Sequence, residues 1–571
     1  QQPQQPQQPQ QQHPHAAAGQ QQPGQQGGRG GGRVRGKDAR REAQARRVAK
    51  KGEEEASFYW SCVKRGPGPD AKPREDAVFG KATVAGIDFH KYDDISVECS
   101  DKGIAPLASF QQMADQLGPE LIRSVERMNY SKPTPIQQYA IPSAFSGNDL
   151  MCAAQTGSGK TCGFLLPTIS ALLRADLGPC QDADGVTHPA AIVLAPTREL
   201  ASQIDVEANK LCYFTNIAPL CVYGGAPARS QLAALARLGN RPMLLTATPG
   251  RLMDFAERGI VRYSQVRFLV LDEADRMLDM GFEPQVRRIV QKSDMPPASR
   301  RSTLLFSATF PEAIQRLAAD FLRPGYTWIA VGRVGSTTES ITQQIVLAPS
   351  DRAHKLKLLA DQLGAVEGRT LVFVRMKRTA QQVKRRLQRD FGINAAEIHG
   401  DRSQAQREAA LDAFREGSMR VLIATDVAAR GLDIPDVTHV VNFDLPVNEP
   451  DFESYVHRIG RTGRAGNRGL ATAFYVPGFD PKQGNGRIAK QLLQLLQEAD
   501  QEIPDWFRAL PEVRSAATQV TGRAAAAPQR DHRPRKRPAR APRAPPTSPR
   551  PTRPRRGSQT NPSIQQPRAK H

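Results

Sequence analysis

Short runs rich in Val, Leu, Ile and Phe recur through the middle of the chain. Each ends in a polar or glycine-rich cluster, and a stretch with helical spacing of apolar positions follows. The runs are Leu150–Ala153, Ala191–Leu194, Met243–Thr246, Phe268–Leu271 and Thr303–Phe306, then Thr370–Val374, Val421–Ala424 and His439–Asn442. Continuous apolar strands alternating with amphipathic helices predict parallel sheets covered on both faces. Ligands of such sheets bind outside the carboxyl ends of the strands, which is where the polar clusters fall. The segment Gly332–Gln343 is polar, has two glycines and shows no clear period. Read as a linker, it separates two α/β domains, 110–331 and 344–508.

The flanks differ in kind. The chain opens with Gln/Pro repeats that run into a Gly/Arg stretch (Gly27–Gly36), and residues 1–85 are expected to be disordered, because such composition buries too little apolar surface to offset chain entropy. Arginine in a flexible chain suits loose contact with single-stranded nucleic acid, though it also serves a plain solubilising tail. Residues 509–571 are Arg/Pro-rich and are expected to be a second disordered tail, either a phosphate-binding arm or a nuclear-import signal. Of the net charge of +22 carried by 571 residues, 1–56 contribute +5 and 514–571 contribute +14. The middle is nearly neutral, so the basic ends point to a polyanionic partner and not to a fold.

Composition also excludes classes. No run of 18 apolar residues is available to span a bilayer. The seven cysteines are odd in number and contain no C-x-x-C pair, which argues against a disulfide framework or structural zinc and for a reducing compartment. The chain begins at Gln1, so a truncation is expected, with room for a removed targeting segment.

Three clusters carry chemistry. AQTGSGKT (Ala154, Gln155, Thr156, Gly157, Ser158, Gly159, Lys160, Thr161) lies between a strand and a helical segment. A glycine-rich turn entering a helix leaves N–H groups free to surround phosphate oxygens, and the helix dipole favours the anion. Lys160 supplies charge to the β/γ-phosphates and the Thr161 hydroxyl is placed for Mg²⁺; the motif's usual first glycine is Ala154 here. In VRFLVLDEADRML (Val266–Leu278), two adjacent carboxylates stand at the mouth of a buried strand, where they are costly without a cation or water. Asp272 would hold Mg²⁺ through its water shell and Glu273 would orient and deprotonate the attacking water. YVHRIGRTGRAGN (Tyr455–Asn467) is basic, and Arg461 and Arg464 are the candidates to reach the γ-phosphate from the second domain.

Taken together, the ordered motifs resemble the DEAD-box RNA helicase family from about Phe110 to Phe507. They are YSKPTPIQ (Tyr130–Gln137), AQTGSGKT, PTRELA (Pro196–Ala201), Gly224–Gly225, TPGR (Thr248–Arg251), DEAD (Asp272–Asp275), SAT (Ser307–Thr309), HGDRSQAQR (His399–Arg407), ATDVAARGLD (Ala424–Asp433) and HRIGRTGR (His457–Arg464). The flanks Gly86–Ser100 and Leu492–Phe507 resemble the Belle subfamily, which acts on messenger RNA at translation initiation; residues 86–109 are then a subfamily extension.

The resemblance implies two RecA-like domains and a set of roles. Gln137 would read the adenine edge, with Tyr130 stacked on the ring, Lys132 nearby and Phe110 closing the pocket; Asp433 would contact the ribose. RNA phosphates would be held by Pro196, Thr197, Arg198, Gly224, Gly225, Thr248, Pro249, Gly250 and Arg251 from the first domain. Gln404, Arg407, Thr425 and Asp426 would do so from the second, and Ser307 and Thr309 would couple ATP to the RNA face. Two departures stand out: Val447–Ser454 is about three residues longer than its family counterpart, and Arg375-Met376-Lys377 replaces a frequent Glu-Thr-Lys.

The implied activity is an ATP- and Mg²⁺-dependent RNA helicase with a monomeric core. It would act on messenger RNA with little sequence preference, beside translation-initiation proteins, in the cytoplasm with shuttling to the nucleus. An ATP-gated RNA clamp that never unwinds would carry the same motifs, and a DNA helicase or other P-loop ATPase would share the phosphate loop.

Overall fold

Apolar runs with no exposed side find cover by pairing in register and accepting helices on both faces. In the computed structural model, which describes residues 31–64, 73–80, 95–155, 157–238, 241–332, 340–426, 434, 436–463, 468–480 and 484–514, this gives two sheets. The strands of the first are β1 (Val97–Cys99), β2 (Leu150–Ala153), β3 (Ala191–Leu194), β4 (Ala218–Val222), β5 (Met243–Ala247), β6 (Phe268–Leu271), β7 (Ser302–Ser307) and β8 (Thr327–Val331). They lie in the order β1-β8-β2-β7-β6-β3-β5-β4, all parallel except β1 against β8. The second sheet contains β9 (Ile341–Leu347), β10 (Arg369–Val374), β11 (Ala396–Ile398), β12 (Val421–Thr425), β13 (Val437–Asn442) and β14 (Gly469–Tyr475). Its order is β11-β12-β10-β13-β14-β9, parallel throughout.

Register decides what the strand ends bring together. Ala153 is level with Ser307, and Leu194 with both Leu271 and Ala247. The loops that follow these strands therefore leave the sheet at one edge. Separate apolar clusters cover the two faces of the first sheet, one around Phe164, Phe306 and Ile204, the other around Phe255, Leu271 and Phe321.

The domain limits differ from expectation at three places. Residues 1–85 contain a helix, α1 (Gly31–Lys64), with Tyr59 fully buried against lobe one. Composition dominated by the Gln, Gly and Arg tracts hides the aromatic cluster Phe58-Tyr59-Trp60, which supplies the apolar area that the rest of the region lacks. The segment 332–343 stops being a linker at Ile341, where β9 begins, because Ile341, Gln343 and Ile345 alternate inward. Lobe two extends past residue 508: Glu512 accepts from the Gly478 N–H (2.9 Å) and the Tyr475 hydroxyl (3.3 Å), and Val513 is buried. Residues 1–30, 65–72, 81–94 and 515–571, which include parts of the expected N-terminal region and 86–109 extension and most of the expected C-terminal tail, lie outside the described residues.

All seven cysteines are free, and no helix among the described residues is long and apolar enough to cross a membrane.

Candidate functional site

The phosphate loop is shaped by its neighbours as much as by its own glycines. Gly157 and Gly159 have φ of +84° and +89°, a region L side chains avoid. A Cβ at Gly159 would also come within 2.6 Å of Gln137 Nε2 and 2.8 Å of Thr134 Oγ1. Those two side chains hold the turn: Thr134 donates to the Ser158 carbonyl (2.7 Å), and Gln137 donates to the Gly159 carbonyl (3.0 Å) while accepting from the Thr134 N–H (3.0 Å). They cap α2 (Pro135–Phe145), so this helix start and the loop before α3 (Lys160–Arg174) form one unit. Thr134 is a site residue that sequence reading passed over, although its position three before Gln137 is the capping-box signal.

Lys160 is buried, and its ammonium donates to the Ala154 carbonyl at 2.7 Å. Burial lowers its pKa, opposed by Asp272, Glu273 and Asp275. Burial pushes the Asp272 carboxyl up to about 7 against the pull of Lys160. Glu273 behaves differently. Burial acts to raise it, but Arg276, Arg461 and Lys160 together outweigh that and hold it below the usual carboxylate value. Two adjacent carboxylates are thus driven apart, the pattern that separates a cation holder from a base. Glu273 sits at φ +50°, unusual for a non-glycine, at the start of α7 (Ala274–Asp279).

No cluster of three His, Cys, Asp or Glu converges as a metal cage among the described residues. Thr161 and Asp272 are the available donors. So sparse a set fits Mg²⁺, which keeps most of its waters and is shared between one carboxylate and substrate phosphates. A carboxyl raised by burial, as Asp272 is, gains most from such a cation.

Lys160, Thr161, Asp272 and Glu273 line a cavity of about 570 Å³ whose other wall includes Arg461 and Gln404 from lobe two. Tyr130, Lys132 and Gln137 line its near end, and the Tyr130 hydroxyl donates to Glu207 (2.9 Å). Phe110 is not brought there. Its side chain is buried in the lobe-one core, held by the turn that Ser109 caps. Arg461 is 3 % exposed and donates to the His457 carbonyl (3.3 Å) from the turn after α9 (Glu453–Ile459). Thr156, Asp433 and Arg464 lie outside the described residues.

The expected coupling residues meet the last acid of the DEAD run. Asp275 Oδ2 accepts from the N–H groups of Ala308 and Thr309 and from the Thr309 hydroxyl, all at 3.0 Å. The Thr309 hydroxyl is also 3.5 Å from Glu453 of the longer loop in lobe two. Ser307 is fully buried, and its hydroxyl has no hydrogen-bond partner among the described residues. Asp275 was not among the expected site residues, because its contacts are long-range. Asp275→Ala leaves two N–H groups without their acceptor, and is expected to cost about 2 to 4 kcal/mol. The denaturant midpoint of lobe one checks this; an unshifted midpoint would leave Asp275 without the anchoring role.

The positions expected to hold RNA form two groups. In lobe one, Thr197 caps α4 (Arg198–Leu211), and α6 (Pro249–Glu257) begins after Thr248, whose hydroxyl accepts from the Gly224 N–H (3.2 Å). Arg251 donates to Gln231 of α5 (Ala228–Ala236) and to the Ala226 carbonyl, both at 3.0 Å, tying the glycine loop to α6. Gly225 has φ +76° and leaves no room for a side chain beside Arg198. Gly250 is exposed at the first turn of α6 and Pro196 is buried at the end of β3. In lobe two, Gln404 and Arg407 lie on the first turns of α8 (Gln404–Arg415). They face lobe one directly: Arg198 donates to Gln404 (3.3 Å), and Arg407 pairs with Glu199 (2.6 Å).

Thr425 ends β12 and is buried, whereas Asp426 is committed elsewhere. Its two oxygens take a forked pair from Arg458 at 2.5 and 2.6 Å. Arg458 also donates to Asn442 (3.1 Å) and to the Asp444 carbonyl (2.6 Å), so it fastens β12, β13 and α9. The sequence offered no sign that this arginine, and not its neighbour Arg461, would be structural. Lys377, in the segment that departs from the family pattern, pairs with Asp401 at 2.6 Å.

Comparison with known proteins agrees with this layout. A family model described as DEAD/DEAH box helicase matches residues 134–317, and one described as helicase conserved C-terminal domain matches 354–466; together they span more than half of the chain. Among solved structures, S. cerevisiae Dbp5 bound to RNA and ADP BeF3 is 28% identical, over 72% of this chain and 100% of that one, with a TM-score of 0.57. Mss116 bound to ssRNA and UDP-BeF is 26% identical over 72% and 83%, with a TM-score of 0.59. The RNA-helicase Prp28 from Chaetomium thermophilum, bound to ADP, is 32% identical over 77% and 98%, with a TM-score of 0.37.

Proposed function

We propose how this chain, which belongs to the DEAD-box family of ATP-dependent RNA helicases, uses its two lobes: they close on one nucleotide and one RNA strand together, and the setting is the translation of messenger RNA. The observation that carries the mechanism is the single cavity with Lys160, Asp272 and Glu273 on one wall and Arg461 on the other.

ATP enters against the phosphate loop, where Lys160 and the free N–H groups meet its phosphates. Thr161 and Asp272 would hold Mg²⁺, which neutralises charge on the β/γ-phosphate oxygens. Glu273, kept anionic by Arg276, Arg461 and Lys160, orients a water and takes its proton. Arg461 and Arg464 balance charge that develops on the transferred phosphoryl group. Because each ligand needs groups from both lobes, each favours the closed arrangement and therefore the binding of the other. Phosphate contacts from Arg198, Arg251 and the Gly224–Gly225 turn, with Gln404 and Arg407 opposite, imply little sequence preference. Closure then bends one strand away from its complement, and hydrolysis releases it.

Support for the translational setting is the likeness of Gly86–Ser100 and Leu492–Phe507 to the Belle subfamily. In the fold, Val97–Cys99 completes the first sheet, and Leu492, Leu496 and Phe507 are buried in lobe two. Translation-initiation proteins are the corresponding partners, and the cytoplasm, with shuttling to the nucleus, the corresponding location.

The test is ATP turnover with and without single-stranded RNA, run beside release of a short RNA duplex. RNA should stimulate turnover and DNA should not, and Lys160→Ala should abolish turnover and unwinding together. Stimulated turnover without duplex release would instead make the protein a clamp.

A further inference from the structure

The seam between the lobes carries an acidic contact that the nucleotide and RNA contacts leave unused. Glu453 opens α9 at the end of the longer loop Val447–Ser454. That loop is fastened to lobe two on both sides. Phe452 is buried and stacks on Tyr455 with ring centroids 5.7 Å apart, and Tyr455 donates to Gln343 at 3.0 Å. Arg487 donates to Asn448 (3.3 Å) and Gln491 to the Glu449 carbonyl (3.4 Å). The Glu453 carboxyl is thereby presented to lobe one, with Oε2 3.5 Å from Thr309 Oγ1.

What it meets there is acidic. Asp275 Oδ2 accepts from the Ala308 and Thr309 N–H groups and from the Thr309 hydroxyl, and its Oδ1 accepts from the Arg276 N–H at 2.9 Å. With four donors aimed at it, Asp275 acts as a carboxylate. A hydroxyl has one hydrogen, and Thr309 gives it to Asp275, the nearer acceptor at 3.0 Å. Toward Glu453 the same oxygen can only accept, so the hydrogen in that contact comes from Glu453. The surrounding charges favour this. Asp275 and Asp279 of α7 are the charged groups that act on Glu453 across the seam. The nearby cations are engaged elsewhere: Arg276 of α7 with Glu273 (3.5 Å), and Arg458 of α9 with Asp426. His457, one turn along α9, has Nε2 3.8 Å from Asp275 Oδ2. Burial pushes the Glu453 carboxyl up to about 7, with Asp275 and Asp279 adding to the rise and Thr309 opposing it.

We propose that Glu453 is a proton-linked latch on lobe closure: it carries a proton while the lobes meet and gives that proton to solvent when they part. This rests on the two-lobe closure of the proposed function and adds a control outside its ATP and RNA contacts. Parted from lobe one, Glu453 loses the burial and the acidic neighbours and returns toward the ordinary glutamate value of 4.5. The closed state then holds the proton more tightly than the open one. Closure therefore takes up a proton between these two values, and it gains as pH falls from above 7 toward 4.5.

The experiment measures binding of a labelled oligouridine to the full chain saturated with a non-hydrolysable ATP analogue. The parent should bind about tenfold tighter at about pH 6 than at about pH 8. Calorimetry of the same binding, in buffers of different ionisation enthalpy, should show about one proton taken up at about pH 6 and almost none at about pH 8.5. Glu453→Gln offers Thr309 a permanent N–H donor without charge. Its affinity should be flat across this range and, at the upper end, should at least match that of the parent at the lower end. A parent-like pH slope in Glu453→Gln would overturn the latch and pass the dependence to His457 or the nucleotide site. Weaker binding by Glu453→Gln than by the parent at high pH would also overturn it, since Glu453 would then be an ionised acceptor for Thr309. So would binding by the parent without proton uptake. Failure of the closure reading looks different: the ATP analogue would not tighten RNA binding by the parent at any pH.

Discussion

Glu273→Gln is expected to lower ATP turnover about 10²- to 10⁴-fold, the range for loss of a positioned general base, while ATP and RNA still bind. The side chain is 2 % exposed and begins α7 with φ +50°. Glutamine keeps the shape and the backbone, but it cannot accept the proton of the attacking water. Its neighbour Arg276, whose Nε lies 3.5 Å from Glu273 Oε2, loses its charge partner in a buried setting, so some loss of stability should accompany the catalytic loss. The variant should accumulate as an ATP-bound protein that releases RNA slowly. Single-turnover hydrolysis and RNA dissociation, measured side by side, check this. Hydrolysis at the parent rate would remove Glu273 from the role of base.

Arg461→Ala is expected to have the larger effect on rate, about 10³- to 10⁵-fold, as for loss of an arginine that meets the transferring phosphoryl group. ATP binding should survive, because the phosphate loop, Lys160 and Gln137 all belong to lobe one. The closed state should not, because Arg461 is the lobe-two cation that shares the cavity with Lys160 and Glu273 and holds Glu273 anionic. ATP should therefore no longer tighten RNA binding. Free guanidinium in solution should restore part of the turnover, a rescue that a merely structural arginine would not show. If affinity for ATP fell as much as the rate, Arg461 would be a ground-state binding group and the proposed mechanism would lose its second wall.

The limits of sequence reading follow from how strands are buried. Interior strands such as β2, β3 and β6 are covered on both faces, so their runs are apolar from end to end and their boundaries were legible to the residue. Edge strands carry less signal. In β4 the run Ala218–Val222 contains Pro219, tolerable only at an edge, and β9 alternates buried with exposed Thr342 and Gln344. β14 lies inside its sheet but packs through Ala471, Thr472 and Ala473, whose small side chains register weakly in any apolar count.

The same contrast holds for the site. The phosphate loop, Asp272-Glu273 and Arg461 stood out as candidates because each is a short local pattern tied to one piece of chemistry, and the fold brings them to one cavity. Thr134, Asp275 and Arg458 were missed, and so was the pairing of Asp426, expected as an RNA contact, with Arg458. Their roles rest on partners tens of residues away: Ser158, Thr309 and Asp426 with Asn442. The burial of Tyr59 in α1 was missed for a related reason, since its partners are Gly185 and Thr187, more than a hundred residues away.

By itself, then, the sequence determined most of the interior strands and singled out short patterns suited to nucleotide chemistry, because those follow from local periodicity and residue type. The tertiary structure alone decided that Arg458 fastens Asp426, Asn442 and Asp444, that Asp275 anchors Ala308 and Thr309, and that Tyr59 is buried beside Gly185. Those are outcomes of long-range packing, in which a buried charge goes wherever a partner can reach it.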